Sequence, residues 1–305
     1  MTMTKANFDR IYSPVMRELF FSEFENQQKN QPDFLNLFFN VKNSIYEKEE
    51  ITDIPGGDLF TEFDGTSKYD EISEGDTMWI THKKFQKGYK MYEDAVDDMV
   101  VGGATKLKDK NLDLASCGAS TIQSLACEIF THAFNSTHVG LDGLPLCSAS
   151  HPYSGSGSGV QNNAGALSLT HDNVVATKAL MRAYKDGNGN KMRLVQPDLL
   201  IHSDVLTERA EVIAKSMTQS DNNNMNYNVN RGLSNVAVPF FTNDYQWMLV
   251  DSRLMKRYMK WYWRKKLAFL SDFDIDDFVV KANARFRAGL GFTFWQFCYG
   301  HNASS

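Results

Sequence analysis

The sequence predicts an α+β chain shaped as an extended plate, and three stretches carry that expectation. The first is a long helix with almost no charge. The second is a polar, lysine-rich ribbon with no core of its own. The third is a strand of strict alternation, far longer than strands usually run. In the helix, apolar residues fall at Ala115, Ala119, Ile122, Ala126, Ile129 and Ala133. That spacing of fours and threes marks one helical face. Leu125, Phe130 and Phe134 widen the stripe, and between Leu114 and Thr137 the one charged side chain is Glu128. Asn111 or Asp113 can cap the start, and Gly140 lies just past the end. The stretch 112–135 makes a helix of roughly 36 Å at 1.5 Å per residue. Its lack of charge predicts cover along much of its length.

The strand runs from Phe278 to Phe294, where every even position is apolar while Lys281, Asn283, Arg285 and Arg287 take odd ones. Strict period two identifies a strand with one buried face. Unbroken, it would span about 56 Å at 3.3 Å per residue, where about five or six residues is usual. Gly289 and Gly291 predict a bend or bulge, after which the chain changes sheet.

Taken in order, residues 1–50 read as an arm. Val15, Met16, Leu19 and Phe20 share one side of a locally amphipathic run, and Leu35, Leu37, Phe38, Phe39 and Val41 form a second apolar cluster. The polar run from Glu25 to Pro32 between them reads as irregular. Apolar patches on such a segment call for a partner surface. Pro55-Gly56-Gly57 then breaks the chain. Partial alternation through Met78–Lys90 predicts strands with hairpin geometry and little core-forming power. Lys83, Lys84, Lys87 and Lys90 can meet acidic groups on a neighbour or stay solvated. Met91–Asp98 predicts the opening of a short helix, its acids suited to the N-terminal dipole.

After the long helix, the turn-rich stretch 140–146 and the Ser/Gly loop 154–159 suggest a boundary between two lobes. Ser168 or Thr170 can cap a helix with an apolar face of Val174, Val175, Ala176, Ala179, Leu180 and Ala183. Leu199–Ile201 reads as a short buried strand and Val205–Met217 as an amphipathic helix. The six asparagines in 221–230 read as a mobile loop. Alternating β and α elements from 165 to 262 predict helices packed on a sheet.

The totals narrow the function. A chain of 305 residues needs no staple for its core. A net charge of −5 argues against a dedicated nucleic-acid binder or a polybasic membrane anchor. Cys117, Cys127, Cys147 and Cys298 form no Cys-x-x-Cys and read as buried thiols. The first twenty residues lack the apolar region of a signal peptide, and no stretch is long and apolar enough to span a bilayer. There is no phosphate-binding glycine loop. Asp186 and Asp272 each begin a calcium-like run that fails at the required glycine and glutamate. The seven histidines show no zinc spacing. No metal or other cofactor is therefore expected, and no catalytic residue. The one nucleophile–base candidate is Ser150 with His151, neighbours whose adjacency disfavours catalytic geometry.

The collinear order of short motifs resembles the major capsid proteins of tailed bacteriophages, the Hong Kong 97-type capsid fold. Thr81-His82-Lys83-Lys84 with Gly88-Tyr89-Lys90 and Met91–Asp94 looks like that family's extended loop and its return. The helix 112–135 looks like the spine helix. Asp142-Gly143 through Ser148, with His151-Pro152, is similar to the exit from that helix. Leu199–Ile201 with the helix 205–217, then Gly232–Pro239, resembles the axial domain. Phe273-Asp274 and the alternating strand resemble the closing strand.

The resemblance divides the chain into an N-terminal arm and start of the peripheral domain (1–50), an extended β-hairpin loop (51–98), a peripheral domain with the spine helix (99–165), an axial domain (166–265), the peripheral long strand (266–293) and an axial tail (294–305). It implies a structural protein without a catalytic step. Subunits would form hexamers and pentamers of an icosahedral shell around packaged double-stranded DNA, located in the virion and assembled in the host cytoplasm. Loop contacts to a neighbour would fall on Trp79, His82, Lys83, Lys84, Phe85, Lys87, Tyr89 and Lys90. With about 50 residues ahead of the loop, a separate scaffolding protein is expected, alongside a portal and decoration proteins. Some members cross-link a loop lysine to a distant asparagine. Nothing here marks the asparagine, so a non-covalent shell is expected. The alternatives are a cellular nanocompartment shell of the same fold and a serine hydrolase using Ser150 and His151.

Overall fold

The computed structural model describes residues 5, 8–52, 62, 65, 75–92, 103–153, 158–187, 189, 195–219 and 226–304. After a π-helical turn at Phe8–Tyr12, helix α1 runs Ser13–Asn30, with Pro14 in its first turn, where the missing N–H has no helical partner to lose. The polar run expected to be irregular continues this helix to Asn30. The Gln27 and Gln31 amides reach back one turn to Glu23 and Gln27 at 2.6 and 2.9 Å, side-chain pairing that supports a polar helical segment. Asp33 caps the short helix α2, Phe34–Phe38, by accepting the Asn36 N–H at 3.1 Å. Strands β1 (Asn40–Asn43), β2 (Lys48–Thr52), β3 (Thr77–Thr81) and β4 (Lys83–Tyr92) follow. Residues 93–98 of the expected short helix lie outside the described residues, and Met91 and Tyr92 end β4 instead. The long helix α3 spans Gly103–Thr131, starting earlier and stopping sooner than its apolar stripe suggests.

Three short strands come next, β5 (His151–Pro152), β6 (Val160–Gln161) and β7 (Ala164–Gly165), then helix α4, His171–Arg182, capped by Thr170. Its buried row is His171, Val174, Thr177 and Met181, so Val175 and Leu180 of the expected apolar face point to solvent. The helix turns this way because Thr177 has a buried partner in His301, at 3.0 Å. Strand β8 (Leu199–Ser203), helix α5 (Thr207–Lys215), β9 (Ser234–Val238), β10 (Gln246–Val250) and α6 (Ser252–Tyr258) lead to three closing strands. These are β11 (Met259–Asp274), β12 (Val279–Phe292) and β13 (Cys298–Asn302). Part of the asparagine-rich stretch is built into the body: Asn228 is buried and donates to Ile213 O and Ser216 O at 2.8 and 3.0 Å, closing the end of α5.

Two sheets organise these elements. The first has the order β1-β11-β12-β4, with β1 parallel to β11 and the other pairs antiparallel. The second has the order β7-β13-β10-β8-β9. Strand β12 is continuous, as its alternation predicts. Its partner β11, two residues longer, belongs to the same sheet rather than to the lobe expected to extend to 265. The register of β11 slips twice: Trp263 faces Ala288, Lys265 faces Arg287, and Ala268 faces Arg285. A single slip would turn the rest of the strand over, and the second restores it. Phe269 and Phe273 therefore return to the core side used by Met259 and Trp261.

Gly289 and Gly291 do not bend β12; they keep their pairing with Tyr262 and Lys260. A Cβ on Gly291 would stand 2.9 Å from Ile80 Cδ1, and one on Gly289 2.9 Å from His82 Cδ2. The glycines form a flat seat on which β3 lies. Ile80, seated there, is buried.

One core joins α2, the C-terminal half of α3 and both sheets, centred on Phe38, Phe130, Trp247, Trp261 and Phe297. A second joins Met16 and Phe20 of α1 to Leu107, Leu114 and Ala115 of α3 and to Phe269, Phe273, Val280 and Ala282 of the first sheet. The partner surface of the N-terminal arm is thus its own chain. Each phenylalanine buried there stabilises by about 1.5–3 kcal/mol.

Candidate assembly surfaces

The residues expected to reach a neighbour divide into two groups. His82, Phe85 and Tyr89 are held within their own chain. The His82 ring is buried, with Nδ1 2.7 Å from Glu47 O, and its carbonyl accepts from Arg287 Nε at 3.3 Å. Phe85 stacks on Phe286 with ring centres 5.0 Å apart. The Tyr89 hydroxyl donates to Asn111 Oδ1 at 2.7 Å, and burial pushes its phenol well up. Trp79, Lys83, Lys84, Lys87 and Lys90 are exposed. The Lys48 ammonium lies 5.2 Å over the Trp79 ring, and Lys87 Nζ reaches Cys117 Sγ at 3.1 Å.

This division corrects the expected ribbon. Residues 83–92 are no free hairpin. They pair along β12 from Lys83↔Ala288 to Tyr92↔Val279. The two-stranded hairpin is β2 with β3, from Lys48↔Thr81 to Thr52↔Thr77. It pairs with neither large sheet, and β3 rests on β12 at the glycine seat. Sequence pattern missed the seat because a glycine making room for a side chain looks like one making a bend.

The face of the first sheet turned away from α1 and α3 was also missed. Cross-strand partners share a face. Lys265, Arg287 and Lys84 form one row across β11, β12 and β4, and Ala268, Arg285 and Gln86 form the next. Asp272, Lys281 and Lys90 form a third. The odd positions of β12 announce half of this surface, but its other half depends on pairings that no local spacing encodes.

Ser150 and His151 do not form a catalytic pair. The buried His151 ring places Nδ1 2.5 Å from Asp142 Oδ2 and Nε2 3.1 Å from Asn163 Oδ1, stacked on Trp295 with centres 4.4 Å apart. The Asn163 amide is oriented by donating to Leu146 O and Cys298 O at 2.7 and 3.2 Å. Ser150 is exposed, with its Oγ 3.5 Å from Ser148 Oγ. The cluster ties the exit of α3 to β13. Among the described residues, no group of three or more His, Cys, Asp or Glu side chains is arranged to hold a metal ion.

No family model matches the chain, and no curated protein sequence does. Solved structures do match. A chain of the bacteriophage JBD30 capsid decorated with minor capsid protein trimers is similar over 79% of this chain and 96% of its own, at 11% identity and a TM-score of 0.56. A chain of Microbacterium phage Oxtober96 is similar over 89% of this chain and 91% of its own, at 10% identity and a TM-score of 0.54. This is the Hong Kong 97-type capsid fold. The virus-like particle from Pyrococcus furiosus matches too, over 95% of this chain and 99% of its own, at 10% identity and a TM-score of 0.51. Within the capsid fold, the described residues supply a long helix (α3), a long-stranded sheet, a second mixed sheet with its helices, and a two-stranded hairpin whose β3 lies on β12.

Proposed function

We propose that the chain is the major capsid protein of a tailed bacteriophage, assembling as hexamers and pentamers into an icosahedral shell around packaged double-stranded DNA. The observation that carries this reading is the near full-length match to capsid chains at about a tenth identity, over elements suited to tiling. In this reading the first sheet with α1 and α3 is the peripheral domain. The second sheet with α4, α5 and α6 is the axial domain, and β2–β3 is the root of the extended loop. The boundary between axial and peripheral parts then falls near Met259, at the start of β11. Self-association uses exposed Trp79 and the basic residues Lys83, Lys84, Lys87 and Lys90. Scaffolding, portal and decoration proteins complete the particle in the host cytoplasm, and the mature protein resides in the virion. Among the described residues the nearest approach to a reaction centre is His151, and its ring is taken up by Asp142 and Asn163.

A second reading, the shell of a cellular nanocompartment, draws support from the Pyrococcus furiosus match. Electron microscopy of the purified protein tests both. Closed shells are expected. Monomers at high concentration would overturn either reading, and shells that enclose protein cargo in place of DNA in the native host would select the second.

A further inference from the structure

We propose that Cys117 and Lys87 form an oxidation site, at which a peroxide joins the sulfur to the lysine nitrogen and so bonds the long helix α3 to the edge strand β4 of the first sheet. The inference goes beyond the shell reading and stands without it.

The four cysteines are not equivalent. Cys127, Cys147 and Cys298 are buried, and burial pushes the thiols of Cys127 and Cys298 up, away from the reactive thiolate. Cys117 alone is partly exposed. It also has a cation in contact, since Lys87 Nζ donates to its Sγ at 3.1 Å, across 30 residues of chain. The sheet brings the two together. Lys84 and Lys90 of β4 lie in the outward rows, opposite Arg287 and Lys281. Lys87 instead shares its row with Ala284 and Phe269, both buried in the core that includes Leu114 of α3. Its side chain therefore leaves β4 on the helix side, where Cys117 stands three residues past Leu114. Among the described residues no carboxylate pairs with Lys87. A partly exposed sulfur beside an ammonium is the setting in which cysteines react. A cavity of about 240 Å³, lined by Cys117, Lys87, Thr121, Phe85, Leu267 and Phe286, opens at the pair. A water molecule takes roughly 30 Å³, so hydrogen peroxide has room to enter.

The chemistry balances with one peroxide. The Cys117 thiolate attacks an oxygen of hydrogen peroxide. The S–O bond forms, the O–O bond breaks and hydroxide leaves. Sulfur has then lost two electrons and is a sulfenic acid. The hydroxide takes a proton from the Lys87 ammonium and becomes water. The freed amine attacks the sulfur, as backbone nitrogen does at other sulfenic acids. The S–N bond forms, the S–O bond breaks, and the departing hydroxide takes the surplus proton from nitrogen as a second water. Two equivalents of an external thiol reverse the link and are themselves oxidised to a disulfide. In the shell reading, the bond forms when a particle assembled in a reducing cytoplasm meets oxidising surroundings.

The test uses the purified full chain, treated with dilute hydrogen peroxide and digested without reductant. Mass spectrometry should find a linked pair of peptides containing Lys87 and Cys117, about 2 Da lighter than their sum, which dithiothreitol separates. Closing the chain between the two residues should raise the midpoint of thermal unfolding by about 5 °C. Cys117→Ser and Lys87→Arg, each checked for folding by circular dichroism, should lose both the link and the rise. Lys87→Arg keeps the cation, so Cys117 should still be trapped there by dimedone as a sulfenic acid. The wild-type peptide map alone decides the point where a variant fails to fold. Cys117 left as a free thiol, oxidised without a bond to Lys87, or joined as readily to Lys84 or Lys90 overturns the inference. Each of these results leaves the shell reading standing, because electron microscopy decides that separately.

Discussion

His301 shows what one side chain contributes. Its Nδ1 accepts the Leu167 N–H at 3.2 Å, and Nε2 faces Thr177 Oγ1 at 3.0 Å. The Thr177 hydroxyl donates to Asn173 O at 2.7 Å, so it accepts from His301. Both nitrogens are assigned, the ring is neutral, and it stacks 4.2 Å from the centre of Trp247. Burial lowers its pKa to about 4. The unfolded chain takes up a proton near pH 6.5 that the folded chain refuses. The contribution is therefore complete above pH 6.5 and is lost as pH falls toward 4, by about 3 kcal/mol. Burial lowers His202 in the same direction. Urea unfolding of subunits at pH 7 and pH 4.5 should show the loss, and His301→Gln should flatten it. Equal stability at the two pH values would mean that the folded ring takes up its proton as readily as the unfolded one. At this scale the sequence tells little. Ser150 stands beside His151, yet the ring's partners lie nine and twelve residues away, a distance no spacing rule covers.

At the scale of elements, the glycine seat gives a sharp test. Gly291→Ala should destabilise by about 1–3 kcal/mol, the usual cost of overpacking, because its Cβ would stand 2.9 Å from Ile80 Cδ1. Adding Ile80→Val should recover part of the loss in thermal unfolding. An additive pair would show that β3 does not rest there. In the spine helix, Ile122 is 2% exposed. Ile122→Asp should abolish soluble subunits, since an unpaired buried charge costs several kcal/mol. Recovery of soluble, folded variant would refute its burial. Elements with an undisturbed period were legible: β12, β8 and the stripe of α3. Strand β11 was not, because its double slip places Lys265 where the alternation asks for an apolar residue. Strand β4 was legible as a strand but not as the partner of β12, since alternation reports a face and not a neighbour. The polar end of α1 was hidden because its helix is held by side-chain amides instead of an apolar stripe.

At the scale of the whole molecule, the body is more complete than its sequence suggests. Strand β4 is paired and the arm is docked, and the surfaces left open, the hairpin, Trp79 and the basic rows, are those the proposed shell would use between copies. Phe278, 58% exposed at a φ of +49° beside the start of β12, adds an apolar point at the far tip. Contacts of these kinds are non-covalent. Denaturing gels of assembled particles should therefore show a single band at 34.6 kDa, and ladders above it would reveal a cross-link. The double slip in β11 has a consequence for descent. If one extra residue inverts everything beyond it while two leave the sides unchanged, insertions and deletions between 263 and 268 should survive in even steps across homologous genes, as a parity rule written into the frame of the tile.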